Sequence, residues 1–136
     1  MDSYPIIAIE GIGPGYRKKL SALGIKNTMQ LLKRSRTSKA RGKLEAESGI
    51  GHRLILEWAN RADLMRIKGI AGQYSDLLEA AGVDTVKELA KRNAENIHRA
   101  MLKANEKKHR VRRPPPLNEV KLWVGQAKKV RPMLEY

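Results

Sequence analysis

The chain is 136 residues long, and its 28 lysines and arginines against 14 aspartates and glutamates give a formal net charge of +14. That balance points to a polyanion, nucleic acid first, although charge alone equally suits an anionic membrane or an acidic protein. With no cysteine there is no disulfide, no thiolate nucleophile and no cysteine-ligated zinc.

The basic residues are not confined to a tail. Residues 1–66 hold 13 basic and 6 acidic side chains and residues 67–136 hold 15 and 8, so each half is +7. The start, Met1–Glu10, contains Asp2 and lacks the basic region of an export signal. No stretch approaches the roughly 20 apolar residues that span a bilayer. A soluble cytoplasmic protein with no membrane partner is expected.

In chain order, the first feature is Ile9-Glu10-Gly11-Ile12-Gly13-Pro14-Gly15-Tyr16. Gly11 suits the left-handed position that stops a helix, Ile12 is an apolar plug, and Pro14 fits the first turn of the next helix, where a missing N–H costs nothing. Tyr16, Leu20 and Leu23 mark one face of a helix over 15–23, which Gly24 ends. Asn27 or Thr28 then offers an N-cap for a short helix with Leu31 and Leu32, and a third helix follows Thr37 and Ser38. A fourth, bearing Leu54, Ile55, Trp58, Ala62 and Met65, is amphipathic.

The sequence then repeats itself. A shift of 58 sets Ile9, Gly11, Ile12, Tyr16, Leu20, Gly24 and Leu31 on Ile67, Gly69, Ile70, Tyr74, Leu78, Gly82 and Leu89, and a further slip of seven sets Trp58 and Ala62 on Trp123 and Ala127. The extra residues fall in a basic, proline-rich insertion near 107–116, whose prolines disfavour helix before them. Pro116 is placed in the first turn of the last helix, and Asp84 or Thr85 and Asn93 are the second set of caps. The expected organisation is all-α: a first unit over 1–65 and a second over 66–136, joined by a continuous helix that leaves no flexible linker.

The glycine pattern, with Leu20, Leu23, Gly24 and Ile25 behind it, resembles the helix-hairpin-helix motif of non-sequence-specific DNA-binding proteins. From Ile9 to Tyr136 the sequence also resembles a bacterial family of unknown function with tandem units of this kind, notably over 57–69 and 112–115. The resemblance implies backbone amides that bind duplex phosphates. The amides would be those of Gly13, Gly15 and Tyr16, with Gly11 shaping the first turn. In the second hairpin they would be those of Ala71, Gly72 and Gln73, with Gly69 shaping the turn. Ala71 departs from the pattern, because alanine resists the left-handed conformation expected there and crowds a close ligand.

Side chains extend the candidate interface. Lys18 and Lys19, with Arg17, load positive charge on the helix opened by the first hairpin, where its dipole prefers acids. One acid-free cluster contains Lys33, Arg34, Arg36, Lys39, Arg41 and Lys43; the insertion supplies Lys107, Lys108, Arg110, Arg112 and Arg113. A basic run is often only a solvated face, but two at comparable places in a repeat favour a purpose. Tyr16, Tyr74, Trp58 and Trp123 read as core, and with so few aromatics a single-strand stacking platform is not expected.

No catalytic constellation emerges. His52, His98 and His109 are scattered, Asp84 reads as a cap, and Glu57 and Asp63 are isolated acids among basic neighbours. The expectation is a non-enzymatic protein without metal or cofactor that binds nucleic acid, duplex DNA ahead of RNA. The alternatives are structured-RNA binding and a scaffold that meets an acidic protein partner.

Overall fold

The computed structural model describes residues 3–136; Met1 and Asp2, used above in reading the start, lie outside the described residues. A 3-10 turn at Ile6–Ala8 precedes eight helices: α1 Pro14–Ala22, α2 Thr28–Arg34, α3 Ser38–Ser48, α4 His52–Leu64, α5 Gly72–Ala80, α6 Val86–Lys91, α7 Ala94–Lys107 and α8 Leu117–Ala127. The only β-type pairing among the described residues is an isolated bridge between Pro5 and Asn27. The protein is all-α, as expected.

Local chemistry sets the helix starts. Asn27, Thr37, Thr85 and Asn93 each accept a hydrogen bond from the N–H three residues on, opening α2, α3, α6 and α7. Asp84 is therefore not the cap of α6. Thr28 is buried and instead accepts from the Tyr4 N–H at 3.0 Å. Pro116 stands one place before α8 and is its extended N-cap residue (ψ 157°), not a member of the first turn.

The repeat is physical as well as textual. Gly11 and Gly69 both take left-handed backbone, φ 98° and 96°. The bonds Ile12 N–H to Ile9 C=O and Ile70 N–H to Ile67 C=O are both 3.1 Å, and Ile25 to Leu20 matches Val83 to Leu78 at 2.9 and 2.8 Å. Under each glycine turn lies the indole of Trp58 or Trp123, and on each indole rests a tyrosine ring, Tyr16 at 5.0 Å and Tyr74 at 5.3 Å between centroids. Arg34 and Arg92, at equivalent positions, each donate to a carbonyl just past a helix end, Leu23 after α1 and Gly82, one residue further on, after α5. The halves differ in what leads into the turn. Gly69 follows α4, whereas Gly11 follows only the three-residue 3-10 turn.

Two apolar clusters fill the molecule, one from Ile6 to Met65 around Trp58, the other from Leu64 to Ala127 around Trp123. Leu64 and Met65, adjacent in sequence, enter different clusters. Helix α4 ends at Leu64, so the helix does not itself continue into Gly69; a buried turn over 65–67 makes the connection. Beneath that junction the Asp63 carboxylate holds Arg66 at 2.8 Å and accepts the Val86 N–H at 2.8 Å. Burial pushes the Asp63 carboxyl above its usual range, against the lowering effect of those two partners. Beyond α8, residues 131–136 cross back to the first cluster, where Met133 and Leu134 pack.

Candidate nucleic-acid interface

The first hairpin presents its glycines outward. Gly13 is the N-cap residue of α1 with extended backbone (φ −90°, ψ −174°) and supplies no side-chain cap; the first turn has no acid. Pro14 lacks an N–H, and the first backbone bond into the helix runs from Arg17 N–H to Gly13 C=O at 2.9 Å. The N–H groups of Gly15 and Tyr16 precede that bond, at the positive end of a nine-residue helix. Gly11, Gly15, Tyr16, Lys18 and Lys19 are exposed, although the Tyr16 ring leans on Trp58 and so serves the core with one face.

Around this helix start lies a run of three shallow depressions. One, of about 410 Å³, is lined by Gly13, Pro14, Gly15, Tyr16 and Lys19. The next shares Pro14 and adds Arg17, Lys18 and Lys26, and the third continues past Arg17 and Lys26 to Ile7. No acidic residue lines any of them. Arg17, Lys18, Lys19 and Lys26 take part in none of the ion pairs among the described residues. Of these four, Lys26 alone is absent from the candidate interface read from the sequence. Arg17 was legible as part of the Arg17-Lys18-Lys19 run; Lys26 was not, because only the fold brings the residue after Ile25 beside α1.

The second hairpin has the same backbone and a different setting. Ala71 has φ −94° and ψ −176°, extended like Gly13. The expected conflict between alanine and a left-handed position therefore does not arise, since the left-handed residue is Gly69, one helical plug earlier. Gly72 is the confined position. It is buried, and a Cβ there would stand 2.0 Å from the Ala8 carbonyl oxygen. The 3-10 turn of the first half thus sits on the start of α5. Gln73 is exposed.

Where α1 offers Arg17, Lys18 and Lys19, α5 offers Ser75, Asp76 and Leu77, and its acids are engaged internally. Arg61 of α4, nearly buried, reaches Glu57 at 3.0 Å, Asp76 at 3.3 Å and Glu79 at 3.0 Å, and donates to the Glu10 carbonyl at 2.8 Å. Burial alone would lower the Arg61 pKa; the hydrogen bond and charge of Glu79, with Asp76 and Glu57, outweigh it and leave the guanidinium above its ordinary value. The other Asp76 oxygen meets Arg110 at 3.5 Å.

The two basic clusters divide into free and engaged cations. Arg34 binds the Leu23 carbonyl and Glu47 at the far end of α1 from the hairpin amides. Arg36 reaches the Met133 carbonyl. Arg41 is 2% exposed and binds the Ser35 and Glu135 carbonyls, so it is an internal clamp, not part of a solvated basic face. Lys33, Lys39 and Lys43 remain exposed. In the insertion Lys107, Lys108, Arg112 and Arg113 are exposed and Arg110 is half-buried. The Asn105 side chain bonds the Arg110 and Val111 backbone, and the Arg113 carbonyl accepts from the Tyr74 hydroxyl, which fixes the insertion against α5. Among the described residues no group of three or more His, Cys, Asp or Glu is arranged to hold a metal ion, and no helix is long and apolar enough to cross a membrane.

Residues 10–130 match a family model described as Domain of unknown function (DUF4332), and the chain belongs to that family. Neither the curated proteins nor the solved structures hold a match to it.

Proposed function

We propose that this protein binds nucleic acid, duplex DNA first, through its phosphate backbone and without strong sequence preference, as a tandem helix-hairpin-helix protein whose first hairpin is the binding one. The supporting observation is the start of α1: a helix without a side-chain cap, with exposed Gly15 and Tyr16, set among four cations that no acid neutralises. Helix starts of this kind attract phosphate because unpaired N–H groups and the helix dipole point the same way. Lys and Arg around them supply counterion release, which gives affinity but no sequence reading. The second hairpin has a structural role in this scheme, its start being covered by Ala8 and the acids of its helix, Asp76 and Glu79, being paired with Arg61.

A duplex shift assay across a salt series tests the proposal. If about six phosphates are neutralised, log affinity falls against log salt with a slope near −5. A Cβ at Gly13 meets nothing within 4 Å and φ is −90°, so Gly13→Val is expected to keep wild-type helicity by circular dichroism while its added bulk beside the amides weakens binding. Affinity indifferent to salt, or unchanged in Gly13→Val, rejects the hairpin as the site.

A further inference from the structure

Residues 131–136 run in extended form along the first half, and their backbone is held at alternate positions. Arg66 donates to the Arg131 carbonyl at 2.9 Å, Arg36 to the Met133 carbonyl at 3.4 Å and Arg41 to the Glu135 carbonyl at 2.8 Å. The Glu135 N–H returns a bond of 2.7 Å to the Arg36 carbonyl. Between these anchors Met133 and Leu134 pack on the first apolar cluster. At the end the Tyr136 hydroxyl donates to Asn60 at 2.8 Å and its ring lies 5.7 Å from the Arg41 guanidinium carbon. Arg41 is itself fixed by the Ser35 carbonyl at 2.8 Å, so the clamp is oriented by the groove and not by the segment it holds.

We infer that this groove is a docking site for an extended peptide of the order apolar, apolar, acidic, aromatic, and that a second copy of this chain can fill it with its own residues 131–136. Holding every second backbone group while seating apolar side chains between them is how an extended segment is recognised. The attachment through 128–130 is short, so the segment experiences an effective concentration of about millimolar, and it stays docked only if its intrinsic Kd is at or below about 1 mM. Without the tether a contact at that limit is populated once the free segment itself approaches millimolar concentration. Exchange of such a segment between copies conserves every contact described above.

Two full-length variants test the inference. Met133→Asp with Leu134→Asp disables the segment and leaves the groove; Arg36→Ala with Asn60→Ala weakens the groove and leaves the segment. By sedimentation equilibrium with each chain at about 1 mM, the upper limit of the Kd inferred above, each alone is expected to be monomeric and their mixture to contain a substantial fraction of one-to-one heterodimer. A mixture that stays monomeric while both variants keep wild-type helicity overturns the inference. If the aspartate variant does not fold, labelled peptide 131–136 is titrated on Met133→Ala with Leu134→Ala and on wild type. Saturation at or below about 1 mM in the variant, and binding weaker by about twofold or more in wild type where the tethered segment competes, supports it. No saturation, or equal binding to both, overturns it.

Discussion

Replacing Gly72 with alanine tests whether the first half is seated on the second hairpin. The added Cβ would lie 2.0 Å from the Ala8 carbonyl oxygen, whereas ordinary contact begins at 3.4 Å, so the carbonyl must recoil by more than an ångström. It has little freedom to do so, because Ile6 and Ile9 on either side are 2% and 1% exposed in the first cluster. Overpacking of this kind costs about 1–3 kcal/mol, and a backbone neighbour held by core residues places the cost at the upper end. Alanine in a helix regains about 0.5–1 kcal/mol over glycine, which leaves a net loss of about 2 kcal/mol. Urea unfolding followed by circular dichroism reads this directly. Gly15→Ala is the control: nothing lies within 4 Å of its Cβ, so its stability should equal or slightly exceed wild type. A Gly72→Ala protein within about 0.5 kcal/mol of wild type refutes the seating of the 3-10 turn on α5.

Removing Arg17, Lys18 and Lys19 together by alanine substitution should flatten the salt slope of duplex binding by up to about 3, with little effect on thermal unfolding, as the shift assay and calorimetry would show. Arg61→Leu strands three carboxylates and the Glu10 carbonyl; because those acids are partly solvated, a loss of about 2–4 kcal/mol is expected by urea unfolding. The Tyr136 phenol is pushed from 10.0 to about 12, first by burial and then by the charges of Asp63 and Asp84. With the folded value above the unfolded one, its contribution to stability is complete below pH 10 and is lost as pH rises towards 12, less the screening by solvent around a ring that is 67% exposed. Tyr136→Phe should remove that alkaline dependence, and an unchanged unfolding profile between pH 10 and 12 would count against the placement of the phenol.

What could be read from the sequence is whatever local chemistry decides. Left-handed glycine, capping asparagine and threonine, and the paired tryptophans each announce themselves within a few residues, and Gly11, Asn27, Thr37 and Trp58 stand where that chemistry puts them. The exposed first hairpin followed from the same signals. The readings that needed tertiary information fared differently. Arg41 looks like its solvated neighbours until Ser35 and Glu135, 94 residues away, are brought to it. Arg61 meets the Glu10 carbonyl across 51 residues, and no spacing rule links them. Ala71 was judged by the glycine it replaces, when the residue with a steric demand is Gly72, whose counterpart in the first half is the exposed Pro14.

The seating of Ala8 on Gly72 also gives the molecule a direction. The segment that leads into the first hairpin closes over the start of the second, so the first unit is the lid and the second the thing covered. The pair is therefore polar, with α1 as its open face and α5 as its closed one.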